Sequence, residues 1–452
     1  MKVVSFFSGC GGLDLGFENA GFDVIWANEF DKTICPTYAY NHPNVVLNDS
    51  DIKTLSSEDI PDCDGFIGGP PCQAWSEGGK GLGLKDERGK VFLEYIRLIK
   101  EKQPKFFLIE NVPGILSAKH KLVFGEFLSQ LKCANYKVSY QLLNAKYYQV
   151  SQDRERVFVV GIRNDIDVDY TFPTPTDSRI VTLRESIGDI KDKPMEYQDE
   201  EVKQFIQGKN HDVYVGVFDD KYMSRNRVRS WNNVSYTIQA QAKNEPLHPQ
   251  APRMQYVSEN KRIFVKGYEH LYRRLSVREC ARIQSFPDSF KFLYSNVKDG
   301  YKMVGNAVPP KLSYVLAKSI KECFERNNSS TQILVGYYKG ATHLNLIKKN
   351  NLYYFPFVKD ISGSVSYLLL HHKEDFHLYK VKDNSLSEKD NKSLIQMGFN
   401  PTKRKYQSLV IEGLVEDCTY IINYCKKYTF SYAPTIVKIP FSKIESLNKV
   451  VK

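Results

Sequence analysis

Val3-Val4-Ser5-Phe6-Phe7-Ser8-Gly9-Cys10-Gly11-Gly12-Leu13 reads as an apolar strand, a glycine-rich turn and the opening of a helix. Glycines at that junction let backbone amides approach a ligand closely, and a helix amino terminus favours a negative group such as a carboxylate. The same turn suits a nucleoside cofactor, a dinucleotide or no ligand at all. Its spacing is not GxGxxG, which weakens a dinucleotide reading. Glu29 closes the next strand candidate, 24–28, where a carboxylate binds ribose hydroxyls in doubly wound folds. Asp51-Ile52 follows, able to bond an adenine amino group and cover its ring. In this order the residues describe a nucleoside site with no cradle for a pyrophosphate.

Outward from that stretch, strand candidates at 3–7, 24–28, 65–68, 106–110 and 157–162 alternate with helical patterns at 13–20, 91–100 and 124–133. This alternation predicts an α/β fold with a doubly wound, mostly parallel sheet over residues 1–170. A Pro/Asp/Thr-rich connector then leads into a polar region rich in Arg and Asn, expected to form a smaller domain over 171–270. Helical periodicity returns at 276–286 and 311–324, so residues 271–326 go back to the first domain. Asn327-Asn328-Ser329-Ser330 reads as a linker, and residues 331–452, with strand-like runs at 333–338, 367–371 and 436–439, as an extra α+β segment.

The chain has 452 residues and a formal net charge of +11. Residues 1–330 carry a net +3 and residues 331–452 a net +8, while residues 221–282 hold 13 basic against 4 acidic side chains. A localised basic stretch points to a polyanionic partner. The nine cysteines show no CxxC or Cys/His cluster, so we expect no metal and reduced thiols. No run has membrane-spanning length, and the first strand starts almost at the initiator methionine, leaving no room for a signal peptide; a cytoplasmic protein is expected.

The chemistry gathers around Gly68-Gly69-Pro70-Pro71-Cys72-Gln73, which presents a cysteine on a stiffened turn after a short apolar strand. A thiolate there is a candidate nucleophile. Glu110-Asn111-Val112 ends another strand at the same sheet edge, and Gln152-Asp153-Arg154-Glu155-Arg156 precedes a third. A cysteine, a carboxylate and guanidinium groups together suit attack on an electron-poor ring.

With these motifs in order, the chain resembles the DNA cytosine-5 methyltransferases of bacterial restriction–modification systems. The resemblance covers residues 1 to about 325: FSGCGGLDLGF, the acidic Glu29, DI at 51–52, GGPPCQ, ENV, QDRERV, RRLSVRECARIQSFPDSF and VGNAVPP. It implies the class I S-adenosyl-L-methionine-dependent methyltransferase fold. It also implies that Cys72 attacks C6 of a flipped cytosine, Glu110 donates to N3, Arg154 helps hold the ring and the Cys72 region, and Arg156 supports it. The cofactor would contact Phe7, Ser8, Gly9, Cys10, Gly11, Gly12, Leu13, Glu29, Asp51, Ile52, Pro70, Asn306, Ala307 and Val308. The loop at 73–88, bearing Ser76 and Arg88, would close over the flipped base.

Within the expected recognition domain, Arg225, Arg227 and Arg229 alternate with polar residues, as in an extended segment lying in a groove. With Gln239, Lys243 and Asn244, they make a region similar to that of GGCC-methylating enzymes. The family's arginine-bearing turn is replaced here by Gln241-Ala242-Lys243-Asn244-Glu245-Pro246, where Glu245 is expected to favour a cytosine amino group or disfavour a guanine. Double-stranded DNA is the expected partner, a cognate restriction endonuclease the functional companion and a monomer the expected state. An RNA cytosine-5 methyltransferase and a nonenzymatic DNA-binding regulator are the alternatives. Residues 331–452 lie outside the resemblance. Lys403-Arg404-Lys405 favours DNA contact there, Asp375 with Asp390-Asn391-Lys392 is a degenerate echo of a nuclease pattern, and His371, His372 and His377 read as strand residues.

Overall fold

The computed structural model describes residues 1–71, 87–166, 168–175, 179–190, 192–197, 209–328, 331–337, 340–356, 365–372, 375–381, 387–389, 406–414 and 435–439. Its elements begin with β1 (Lys2–Phe6), α1 (Gly12–Asn19), β2 (Asp23–Asn28), α2 (Cys35–Asn41), β3 (Val46–Asn48) and β4 (Gly65–Gly68). Next come α3 (Glu87–Lys102), β5 (Phe106–Asn111), α4 (Lys121–Cys133), β6 (Tyr136–Asn144) and β7 (Glu155–Arg163). The strands form one sheet in the order β3-β2-β1-β4-β5-β7-β6. All pairs from β3 to β5 are parallel, whereas β7 runs antiparallel to both β5 and β6.

Continuous apolar runs place β1, β4 and β5 at the centre, because a strand covered on both faces has no polar side to show. Every residue of β5 is buried, whereas β6 exposes Lys137, Tyr140, Gln141 and Leu142 along the sheet edge. Under the sheet, Phe6, Phe66 and Tyr95 pack ring to ring, with centroids 4.9 Å and 5.1 Å from Phe6.

The following residues supply short elements: α5 (Leu183–Ile187), β8 (Met195–Tyr197), β9 (Asp212–Tyr214), α6 (Asp220–Met223), β10 (Gln255–Ser258) and β11 (Lys261–Ile263). The chain then forms α7 (Val277–Ile283), α8 (Val297–Asn306) and α9 (Pro310–Asn328). A capping box starts α7: Glu279 accepts from the Ser276 amide while Ser276 Oγ accepts from the Glu279 amide. The returning helix is fastened to the amino-terminal one. Ser313 Oγ donates to the Leu13 carbonyl, and Lys321 Nζ to the Ala20 carbonyl at 3.1 Å.

Contacts group the chain into Met1–Lys321 and Glu322–Lys452. The second unit contains β12 (Thr331–Tyr337), α10 (Ala341–Asn350), β13 (Leu352–Pro356), β14 (Val365–His372), β15 (Asp375–Val381), β16 (Ser387–Lys389), β17 (Tyr406–Leu414) and β18 (Thr435–Ile439). Its described strands run β13-β17-β15-β14-β12-β18, with β16 on β17 and only β12–β14 parallel.

Several expectations shift. α3 begins at Glu87, so Arg88 belongs to a helix rather than the preceding loop. Asn327 and Asn328 continue α9 instead of opening a linker. Tyr222 and Met223 end α6 and Ser224 is still helical in backbone, so no extended stretch begins before Arg225. His371, His372 and His377 lie in strands, as expected, while 390–392 and 403–405 fall outside the described residues. No described helix is long and apolar enough to cross a membrane.

Candidate active site

The carboxyl ends of β1, β2, β4 and β5 open onto one cavity of about 510 Å³. Phe7, Ser8, Gly9, Gly12, Leu13, Glu29, Asp51, Ile52, Pro70, Asn306, Ala307 and Val308 line it, together with Glu110 and Arg156. A site at the strand carboxyl ends of an open α/β sheet is where such folds bind ligands.

The nucleoside end is built around Glu29. Its carboxylate accepts from the Gly9 and Asp31 amides, both at 2.8 Å, which fixes it over the glycine turn. Burial pushes that carboxyl up, opposed by the Asp31 and Gly9 hydrogen bonds. Asp51 caps the turn that presents Ile52, accepting from the Lys53 amide at 3.0 Å. Ser8 Oγ is buried at the cavity wall with no protein partner among the described residues. A buried hydroxyl at the wall, a glycine turn beside it and a ribose-type carboxylate fit a nucleoside cofactor that carries an amino-acid group.

Two residues of the turn face away from the cavity. Cys10 is buried, its thiol donates to the Met303 carbonyl at 3.5 Å, and burial pushes it up to about 12. Gly11 sits at φ +91° directly over His42, where a Cβ would fall 2.1 Å from Nε2. Neither is among the residues that line the cavity; they shape the turn from behind.

At the reaction end, Glu110 Oε1 pairs with Arg156 Nε at 2.9 Å, both side chains mostly buried. The other Glu110 oxygen lies over Gly69, leaving 3.1 Å to where a Cβ would stand. Asn111 Nδ2 reaches the Pro70 carbonyl at 3.4 Å, tying the end of β5 to the turn. Cys72 and Ser76 themselves fall outside the described residues.

The two arginines stand in different surroundings. Arg154 is 0% exposed and donates to the carbonyls of Ile238, Gly305 and Ala307, so it does not reach the cavity. Arg156 is the guanidinium that lines it. Both belong to QDRERV, but Arg154 precedes β7 and turns into the protein while Arg156 stands within the strand.

The basic stretch divides similarly. Arg225 and Lys243 are exposed, and Arg229 lies over the Tyr236 ring at 4.1 Å with Asp153 at 3.7 Å. Gln239 and Asn244 are half-buried; the Gln239 side chain donates to the Thr237 carbonyl and that of Asn244 to Gln241. Arg227 is buried, stacked over Tyr222 at 4.5 Å and donating to the Tyr222 carbonyl, which removes it from a base-reading surface. Glu245 is corrected too. It is 0% exposed and accepts from the Gln239 amide at 2.9 Å, so it shapes the loop instead of meeting a base.

Sequence reasoning missed Phe30, Asp31, Lys302 and Gly305, all lining the cavity. Lys302 pairs with Asp31 across its rim. The signal was position: two directly follow Glu29, and two stand just before or within VGNAV.

A sheet in this order, with one antiparallel strand inserted beside the last and a cavity at its carboxyl edge, defines a class I S-adenosylmethionine-dependent methyltransferase fold. Residues 1–322 match the model of the C-5 cytosine-specific DNA methylases, and the chain belongs to that family as a DNA cytosine-5 methyltransferase. It is 50% identical over 326 residues to the type II methyltransferase M.FnuDI of Fusobacterium nucleatum, covering 71% of this chain and 94% of that one. It is 47% identical over 330 residues to M.NgoPII of Neisseria gonorrhoeae, covering 72% and 97%. Among solved structures, a DNA modification methyltransferase encoded within an E. coli prophage superposes with a TM-score of 0.55 at 25% identity, covering 72% of this chain and 99% of that one. Spodoptera frugiperda DNMT2, at 20% identity and a TM-score of 0.52 over 72% and 99%, shares the fold.

Proposed function

We propose that this enzyme methylates C5 of a cytosine within GGCC or a related short GC-containing palindrome in duplex DNA, using Cys72 as nucleophile, and that it protects host DNA from a cognate restriction endonuclease. The observation that carries the reading is the Glu110–Arg156 pair, held against Gly69 at the mouth of a nucleoside-shaped cavity.

C6 of cytosine is out of reach inside a duplex, so the base must leave the stack and enter the cavity. Cys72 then adds to C6. Glu110 donates to N3 and so stabilises the charge pushed into the ring, while Arg156 fixes its orientation. Addition makes C5 nucleophilic. S-adenosyl-L-methionine, when bound, supplies an electrophilic methyl group at that carbon. Loss of the C5 proton to a base and expulsion of the Cys72 thiolate restore the aromatic ring.

Glu29, Asp51, Ile52, Ser8 and the amides of the glycine turn would hold the nucleoside and amino-acid ends of the cofactor. Exposed Arg225 and Lys243, half-buried Arg229, and the loop at 239–244 are the DNA-facing candidates within residues 171–270.

Bisulfite sequencing of unmethylated plasmid incubated with the protein and S-adenosylmethionine tests the proposal. Protected cytosines confined to GGCC are the expected result, and a Cys72→Ser protein should give none while still binding duplex. Protection at another short motif would overturn the site assignment alone; complete conversion everywhere would overturn DNA methylation by this chain.

A further inference from the structure

His42 is a buried ionisable group that the proposed chemistry does not use. It caps the end of α2, its amide donating to the Tyr38 carbonyl at 2.9 Å, and its side chain is 0% exposed. The ring lies beneath the glycine turn. Its Nδ1 meets both carboxylate oxygens of Glu18, at 3.1 and 3.0 Å, and it stacks on Tyr38 with centroids 4.6 Å apart. Phe290 lies across it, 6.2 Å away. That leaves Nε2 against the Gly11 backbone, buried and without a well-formed hydrogen bond.

The turn therefore rests on an imidazole held by α1, by α2 and by the segment before α8. Gly11 is tied in both directions, its amide donating to the Ser8 carbonyl and its carbonyl accepting from the Leu15 amide, each at 2.9 Å. Ser8, Gly9 and Gly12 on either side of it line the cavity. Close-packed interiors transmit small displacements, so a shift at Gly11 reaches the wall on both sides.

We propose that His42 is a positioning residue for the methyl donor: pinned by Glu18, it props the Gly11 backbone so that Ser8, Gly9 and Gly12 meet the cofactor. The inference rests on the reading that this turn holds S-adenosylmethionine. The prop works as an imidazolium. Burial alone would push His42 down, but the Glu18 hydrogen bond, the charges of Asp14 and Glu18 and the Gly11 backbone raise it above the ordinary imidazole value. Its position at the carboxyl end of α2 also suits a cation.

Asp14 and Glu18 on α1 and Tyr38 on α2 are the titratable groups around it; Asp14 accepts from Tyr38 and Ser5 at 2.6 and 2.7 Å, and Phe290 brings no charge. When the proton leaves, Nδ1–H stays on Glu18 and Nε2 turns a lone pair towards Gly11. Support for the turn is complete below the ordinary imidazole value and is lost as pH rises through the raised one.

The test is titration calorimetry of S-adenosylhomocysteine against the full chain from about pH 6 to 9, beside nuclear magnetic resonance of ring-labelled histidine. His42→Phe keeps a ring of similar size and should weaken binding at the acid end about 5-fold or more, raising the cofactor KM alike with kcat within about 3-fold. Across the His42 titration the unaltered protein should lose affinity until it approaches that variant, and in Glu18→Gln the midpoint should move down by about one pH unit. The ligand's own amino group titrates in every protein, so the differences between proteins read His42.

Binding by His42→Phe as tight as that of the unaltered protein, or a His42 titration without a change in affinity, would overturn the proposal. If His42→Phe does not fold, the comparison of Glu18→Gln with the unaltered protein decides, and equal midpoints overturn it. An unaltered protein that binds no S-adenosylhomocysteine at any pH counts against the cofactor reading, whereas binding that ignores His42 counts against this inference alone.

Discussion

Two carboxylates show how surroundings set what a residue can do. Glu110 keeps one face to the cavity and one to Arg156, so Glu110→Gln should lower kcat at least about 100-fold with the cofactor KM within about 3-fold. Arg156→Gln should lower kcat about 10-fold or more by releasing the carboxyl from its orientation, measured by tritiated methyl transfer. Glu279 is instead sealed inside. Burial alone would push it up, but the Arg273 fork, at 2.7 Å to each oxygen, together with His248 and the Ser276 amide, holds it down to about 2 from an ordinary 4.5. Burial lowers His248 to about 4, so at neutral pH the fork supplies the charge partner and His248 only a neutral contact. A depressed carboxyl stabilises the fold above its unfolded value and loses that contribution as pH falls towards its folded value. Glu279 should therefore contribute about 3 kcal/mol at neutral pH that disappears between about pH 4.5 and 2. Urea unfolding should show a shallower acid slope in Glu279→Gln than in the unaltered protein; parallel slopes would refute the assignment.

At the level of elements, the glycine turn is the most constrained piece. A Gly11→Ala protein must place a Cβ on His42 while holding φ +91°, and should lose roughly 2 kcal/mol or more of stability, seen as a lower urea midpoint. The central strands were legible in the sequence because burial on both faces leaves unbroken apolar runs such as Phe106-Phe107-Leu108-Ile109. β6 was not. Its Lys137, Gln141 and exposed Tyr140 are what an edge strand tolerates, and they leave no clear alternation to read. β3, three residues long, gives no periodic signal either. Motif residues were legible as a set, but their orientation was not: one turn of chain decides that Arg156 faces the cavity and Arg154 the interior. Arg227 and Glu245 likewise turn inward onto Tyr222 and Gln239, five and six residues away, an orientation that no local pattern announces.

For the whole molecule, the family match ends at residue 322 and contacts divide the chain at nearly the same place. A chain ending after Asn328 should therefore remain soluble and transfer methyl groups at a rate within about 3-fold of the full chain; an insoluble product would give residues 331–452 a structural role. The cavity has one wall at Phe7–Gly9 with Gly12 and Leu13, and another at Lys302, Met303 and Gly305–Val308, drawn together by the tie from Ser313 to Leu13. On the ribosome the second wall appears last. At about 5–20 residues per second, the first wall waits roughly 15–60 s for its counterpart. A nascent or prematurely ended chain can therefore display the glycine turn yet lack a place to hold the methyl donor, so activity begins only once nearly all of the family-matched sequence has been made.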